Sequence, residues 1–375
     1  MSDPRPLIPA LCSEGLIQAE VNGALGIITL NRPQALNALS LPMIRDLRTL
    51  LHSWAEAPRI EAVVVLGAGR EGKPPAFCAG GDIRFFHAAA LAKDPALAEF
   101  FSEEYTLNHE IHHYPKPYIA LMDGIVMGGG MGISQGARLR VLTERSKLAM
   151  PEAHIGLFPD VGGGWFLAQC PGHVGEWLAL TGQVLGAGDA IALGLGDVFV
   201  RSDELPGLVQ ALRSAPQPSA ERVVATVMER VEVAPEAMHL GERERIDRHF
   251  GAATLQDLMS SLQTEHSDWS RQVMTQLAKN SPLAMAISLE LVRRGRHLSL
   301  AEDLRLERNL VHWCFEPAWR AQHCETVEGI RALAIDKDHR PHWQPASLDA
   351  LTPERVAAMF RDPWAGQVHP LAHLR

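Results

Sequence analysis

The chain has 375 residues, 46% of them hydrophobic, which is enough for about two domains with a sizeable core. A formal net charge of −9 excludes a broad nucleic-acid surface or anionic-membrane surface and leaves room only for a local basic pocket. Five scattered cysteines, Cys12, Cys78, Cys170, Cys314 and Cys324, form no C-x-x-C pair, which excludes a disulfide framework or a cysteine zinc site and indicates a reducing compartment.

The N-terminus, MSDPRPLIPALCSEG, has neither the layout of a signal peptide nor the Arg-rich character of a transit peptide, so the cytoplasm is the expected location. Residues 17–30 alternate as two strands joined at Asn22-Gly23, a short hairpin signal. After Asn31-Arg32-Pro33, Ser40-Leu41-Pro42 opens a helix with Ser40 as N-cap and an apolar stripe at Leu47, Leu50, Leu51 and Trp54. Residues 62–66 form a β-branched run without alternation, and Tyr118–Met122 repeats it. Both read as strands buried on two faces, which makes the sheet largely parallel. The apolar stretch 118–133 is too interrupted, by Asp123 and five glycines, to span a bilayer, and no membrane partner is expected.

Each buried strand leads into a glycine-rich segment and then a helix: Phe77-Cys78-Ala79-Gly80-Gly81-Asp82-Ile83 after the first, and the stretch from Gly124 to Gly132 after the second. Glycine lets a backbone approach a ligand closely, and a helix N-terminus adds partial positive charge. Two such loops can aim one N–H each at a single oxygen, as an oxyanion hole for acyl transfer or an enolate requires. The same glycines also permit tight helix packing. Phosphate-loop readings fail on spacing, because Gly130 stands where a P-loop needs Lys, and no G-x-G-x-x-G runs through residues 128–133.

His109-Glu110-Ile111-His112-His113 fits the zinc-protease pattern H-E-x-x-H. Tyr114-Pro115-Lys116-Pro117 ends the helix at once and no third ligand is marked downstream, so these read as surface histidines near a helix end and no metal is expected. The run 147–165, KLAMPEAHIGLFPDVGGGW, sets Glu152 and Asp160 among apolar and glycine residues, where low dielectric can push two carboxyl pKa values apart. Pro151 and Pro159 keep both acids out of a helix interior, and Gly162-Gly163-Gly164 opens the next helix, for which Asp160 is also a candidate cap. Beyond residue 201 the pattern is helical, with starts at Ser281-Pro282 and at a Ser299/Glu302 capping box ahead of Leu304, Leu306 and Leu310. The expected division is an α/β core over 16–200, a helical region over 201–345 and an extension over 346–375 whose role the sequence does not indicate.

The order of these motifs resembles the crotonase (enoyl-CoA hydratase/isomerase) superfamily. The resemblance is carried by Asn31-Arg32-Pro33, Leu36-Asn37-Ala38-Leu39, the segment Ala76-Phe77-Cys78-Ala79-Gly80-Gly81-Asp82-Ile83, and Gly124 with Gly128-Gly129-Gly130. Within it, Glu103-Glu104-Tyr105, Met150-Pro151-Glu152, Gly156-Leu157-Phe158-Pro159-Asp160-Val161-Gly162-Gly163 and Glu328-Gly329-Ile330-Arg331-Ala332 are similar to the 3-hydroxyisobutyryl-CoA hydrolases.

The resemblance implies an α/β crotonase-like ββα superhelix with a helical C-terminal region. It implies a small-molecule acyl-CoA substrate and no cofactor, coenzyme A being part of the substrate, and it leaves self-association as a homo-oligomer open. It maps the oxyanion-binding N–H groups onto Ala79 and Gly129, the catalytic acids onto Glu152 and Asp160, and substrate contacts onto Glu104, Gly80, Gly81 and Asp82. A hydratase carries a second catalytic Glu where this chain has Gly132. Adding water across a double bond needs an acid and a base at the alkene, so hydrolysis of a 3-hydroxyacyl-CoA, a step of valine breakdown, is the implied reaction. Glu152 would attack the thioester carbonyl or activate water, and Asp160 would hold the 3-hydroxyl or manage the proton. The rivals are an isomerase or hydratase of the same superfamily and a non-catalytic CoA-fold interaction protein. Cys78 reads as a packing residue, since no His is marked as its base.

Overall fold

The computed structural model describes residues 7–70, 72–73, 75–214 and 219–375; residues 1–6, on which part of the reading of the N-terminus rested, lie outside them. The chain divides into two compact units: Met1–Gly81, Thr106–Leu148 and Val184–Met238 form the first, and Asp82–Tyr105, Ala149–Gln183 and His239–Arg375 the second.

A six-stranded sheet organises the first unit, in the order Ile17–Asn22, Leu25–Leu30, Ala62–Gly67, Tyr118–Met122, Leu139–Leu142 and Val198–Phe199. The first pair is antiparallel, running from Ile17 opposite Leu30 to Asn22 opposite Leu25, with Gly23 at φ +61° in the tight turn. Every later pair is parallel, as the unalternating runs predict.

Alternate residues of the strands, among them Leu25, Ile27, Val64, Ile119, Leu121 and Val141, make one apolar face. The helices Leu205–Ser214 and Ala220–Met228 cover it with Leu208, Val209, Leu212, Val223 and Val227. These two helices therefore lie on the sheet, beyond the position 200 at which the α/β core was expected to end. Helical periodicity marks these segments as helices but carries no mark of which surface they cover.

Helix Leu41–Glu56 buries the expected stripe, including Leu47, Leu50, Leu51 and Trp54. Ser40 stands at the N-cap, but its hydroxyl makes no cap bond and is buried without a partner among the described residues. The helix Ala96–His112 ends inside the H-E-x-x-H pattern, and Glu110 is held by Arg48 at 2.8 Å and by His52 at 3.1 Å. That acid is an ion-pair partner, which accounts for it without a metal.

The second unit is helical. Ser281 caps helix Pro282–Gly295 by accepting from Ala284 N–H, and Ser299 with Glu302 closes a reciprocal capping box on helix Leu300–Trp319, both as expected. The C-terminal extension is docked on this unit: Trp364 Nε1 donates to Asn309 Oδ1 at 2.7 Å, Arg305 donates to the Leu374 carbonyl at 3.0 Å, and Leu371 is fully buried. Among the described residues no helix is long and apolar enough to cross a membrane.

Gly26 leaves space for the Trp54 indole, since a Cβ placed on it would lie 2.5 Å from two ring carbons. Gly26→Ala is expected to destabilise the protein by about 1–3 kcal/mol through overpacking, measured by urea unfolding. A loss below about 0.5 kcal/mol would show that the indole can shift freely.

Candidate active site

In the first unit, the two glycine segments lie against each other. Cys78 N–H donates to the Ile125 carbonyl and Met127 N–H to the Cys78 carbonyl, both at 3.0 Å. Gly128, at φ +49°, then turns the chain into the short helix Gly129–Gln135. A Cβ on Gly130 would sit 2.2 Å from the Cys78 carbonyl oxygen, so only glycine permits this approach. A Cβ on Gly80 would lie 3.4 Å from the Gly129 nitrogen, which places the Gly80-Gly81 backbone directly beside the start of that helix.

The expected donor Ala79 requires correction. Its N–H is donated to the Leu36 carbonyl at 3.0 Å and is not open to a ligand. The N–H groups of Gly81 and Gly129 make no hydrogen bond to any described residue, and Gly129 leads a helix whose first amides have no carbonyl within it. Both amides are therefore open to an acceptor from outside the described residues. Cys78 is fully buried and its Sγ accepts from Gly80 N–H at 3.4 Å, in keeping with a packing role.

The second unit holds the acids. Asp82 caps helix Ile83–Ala92, accepting from Arg84 and Phe85 N–H, so its carboxylate has a structural task that the sequence reading did not assign. Glu104 and Tyr105 are adjacent on helix Ala96–His112, and Tyr105 packs on Phe101 with ring centroids 6.0 Å apart. Phe101 in turn meets Phe86, Phe100 and Phe315 at 4.9 to 5.7 Å. This aromatic group makes the surroundings apolar.

Glu152 opens a 3₁₀ turn, Glu152–Ile155, and Asp160 lies in the loop beyond it, so neither acid is inside an α-helix, as the prolines predict. The loop is pinned from elsewhere in the unit: Ser281 N–H donates to the Ala153 carbonyl at 3.1 Å and Thr326 Oγ1 to the Gly156 carbonyl at 2.8 Å.

Glu104, Glu152 and Asp160 are all buried. Glu104 Oε1 and Glu152 Oε2 have no hydrogen-bond partner among the described residues. Burial drives the Glu104 carboxyl well above its usual range, and repulsion from Asp160 and then Glu152 adds to it. Glu152 is raised by burial and then by Asp160. Burial lifts Asp160 to about 6, held down by a hydrogen bond from the Tyr105 hydroxyl, whose oxygen lies 2.8 Å from Oδ2. Three carboxyls that resist simultaneous ionisation have the properties needed to hold and pass a proton near neutral pH.

Asp160 does not cap the following helix. Two acids from helix Leu300–Trp319 do so: Glu307 accepts from Gly162 N–H at 2.9 Å and Gly164 N–H at 3.1 Å, and Asp303 from Trp165 N–H at 2.9 Å. Both are fully buried and raised by desolvation. The sequence reading passed over Asp303 and Glu307, and named Tyr105 only within the motif Glu103-Glu104-Tyr105, without a role. A usable signal existed for the first two, because acids four residues apart fall on the same helix face as Leu300, Leu304 and Leu310. For Tyr105 the motif marked the position but not the role, since an aromatic residue on a buried helix face reads as core.

The enoyl-CoA hydratase/isomerase family model matches residues 25–360. A mitochondrial 3-hydroxyisobutyryl-CoA hydrolase of Xenopus laevis is 40% identical over 344 residues, covering 90% of this chain and 86% of that protein. The Homo sapiens mitochondrial protein of that name is 39% identical over 348 residues, covering 91% and 87%. Among solved structures, a carnitinyl-CoA dehydratase from Mycobacterium thermoresistibile gives a TM-score of 0.84 at 34% identity over 92% of this chain and 97% of that one. An enoyl-CoA hydratase from Rhodobacter sphaeroides 2.4.1 gives 0.81 at 38% identity with the same coverage.

A carboxyl whose folded pKa exceeds its unfolded value keeps its proton in the native state after the unfolded chain has released it. Its stabilising effect is complete below the unfolded value and disappears as pH rises through the folded one, a window of roughly 4 to 6 for Asp160. Asp160→Asn removes that dependence. Urea unfolding of both proteins is expected to show the variant gaining on its parent as pH rises from 4 to 7, by on the order of 2–3 kcal/mol. A gap that narrows with pH would contradict the assignment.

Proposed function

The chain belongs to the enoyl-CoA hydratase/isomerase family, and from that premise we propose that it is an acyl-CoA thioester hydrolase cleaving 3-hydroxyisobutyryl-CoA to the free hydroxy acid and coenzyme A, a step of valine breakdown. The observation that carries this reading is identity of about two residues in five, along nine-tenths of the chain, with proteins of that name. Buried acids and free backbone amides are the kinds of group that this chemistry needs.

Thioester hydrolysis passes through a tetrahedral oxyanion, for which the N–H groups of Gly81 and Gly129 are the donors in this reading; each donor of this kind contributes roughly 3 kcal/mol of transition-state stabilisation. Glu152 supplies the carboxylate that attacks the carbonyl to form an acyl anhydride, or that takes a proton from the attacking water. In single turnover in ¹⁸O-water, label in the Glu152 side chain identifies the anhydride route, since it arises when water attacks the Glu152 carbonyl of the anhydride and the general-base route cannot produce it. Asp160, with one oxygen bonded to Tyr105, offers the other to the substrate's 3-hydroxyl. An acceptor placed there disfavours substrates that leave it unpaired. No cofactor enters these steps.

The hydratase reading draws on the names of the two solved structures. Position 132, where the resemblance puts a hydratase's second acid, is a buried glycine in helix Gly129–Gln135, so that reading lacks one of its two proton-transfer groups. The relatives are named as mitochondrial proteins, and the cytoplasmic location expected from composition does not follow from them; cell fractionation decides it.

The purified protein is expected to release CoA thiol from 3-hydroxyisobutyryl-CoA, and Glu152→Gln to lower kcat by about 10²- to 10⁴-fold. Asp160→Asn is expected to reduce the preference for 3-hydroxyisobutyryl-CoA over isobutyryl-CoA. Hydration of crotonyl-CoA without thiol release would replace the hydrolase reading with a hydratase one.

A further inference from the structure

Asp160 is held at two points within the second unit. The first is its side chain, where the Tyr105 hydroxyl donates to Oδ2 at 2.8 Å from a fully buried position on helix Ala96–His112. The second is its backbone. The next residue, Val161, has φ +58°, a left-handed conformation that a β-branched residue resists at a cost of about 1–3 kcal/mol. Such strain persists only where the surroundings over-determine it. Here Gly163 N–H donates to the Asp160 carbonyl at 2.8 Å, while Glu307 and Asp303 hold the amides of Gly162, Gly164 and Trp165. The loop is therefore fixed in backbone, and beyond the amide of its own residue the carboxylate is held by one phenol.

We propose that Tyr105 is a positioning residue for the reaction: it fixes one oxygen of Asp160 and so sets where the other is offered to the 3-hydroxyl of the substrate. The inference rests on the hydrolase reading of the same site. The groups facing Asp160 are Tyr105 and Glu104 from one helix, Glu152 from the 3₁₀ turn, and Glu307 and Cys314 from helix Leu300–Trp319. Burial favours a neutral Asp160, and the charge of Asp160 in turn raises Glu104, Glu152 and Glu307. The phenol favours the ionised form, because it donates to it.

Tyr105→Phe keeps the ring and deletes the donor. The acid limb of kcat/KM against pH for 3-hydroxyisobutyryl-CoA is expected to move up by about one to two pH units. Activity should recover at high pH, and the preference over isobutyryl-CoA should fall about tenfold or more. Replacing Tyr105 with 3-fluorotyrosine, a stronger donor of nearly the same size, should move the limb the other way and covers the case in which the Phe variant does not fold. An infrared titration of the carboxyl band that Asp160→Asn abolishes should show the same shifts without any turnover. If the parent releases no thiol from any 3-hydroxyacyl-CoA, the hydrolase reading falls while the infrared titration still decides whether Tyr105 governs Asp160. An unmoved limb and band, or an equal loss of rate at every pH, would overturn the proposal.

Discussion

A carboxyl group taken out of water must be hydrogen-bonded, paired with a cation or left protonated, and the second unit buries seven among its described residues: Glu104, Glu152, Asp160, Glu176, Asp303, Glu307 and Glu325. Much of that unit follows from how each is accommodated. Asp303 and Glu307 are met by backbone amides that a short helix would otherwise leave unbonded, so two costs offset each other. This explains Gly164, where a Cβ would come within 2.4 Å of Asp303 Oδ1. Asp160 is met by a phenol. Glu104, Glu152 and Asp303 each keep an oxygen with no hydrogen-bond partner among the described residues.

The first unit meets a different constraint with a different device. Backbone amides can stabilise an oxyanion only if nothing else in the fold accepts from them, and a parallel sheet uses most of its own. The glycine segments beyond Ala62–Gly67 and Tyr118–Met122 supply amides outside the ladder. Between Ala79 and Gly81 the backbone turns at Gly80, with φ +102°, which is how one amide comes to serve the Leu36 carbonyl and the other to remain free. Family membership and the solved structures identify this architecture as the crotonase-like α/β fold with a helical C-terminal region.

Local features were legible in advance wherever the deciding interaction spans a few residues. The Asn22-Gly23 turn, the Leu47 to Trp54 stripe, the Ser281 cap and the Ser299/Glu302 box depend on neighbours within one or two turns, and each was readable. Ser40 had the right residue type at the right place, yet no cap bond formed, because propensity does not fix where a buried hydroxyl points. Glu152 and Asp160 were readable as candidates because acids within an apolar, proline- and glycine-rich run are rare enough to notice. That the expected donor Ala79 spends its N–H on the Leu36 carbonyl was not legible, because the direction of an N–H is set by backbone torsions that no side chain records.

By itself the sequence determined the class of the fold, the parallel sheet, the two glycine loops, the acids available for chemistry and the family they resemble. All of these are carried by composition, periodicity or contiguous motifs. Only the tertiary structure decided which amides are free among the described residues, that helices Leu205–Ser214 and Ala220–Met228 cover the sheet, and that the Asp160 loop is held by Tyr105, Asp303 and Glu307. Those last contacts join residues 55, 138 and 145 positions apart. No local pattern encodes such pairings, because the energy that makes them exists only once the intervening chain has packed and excluded water.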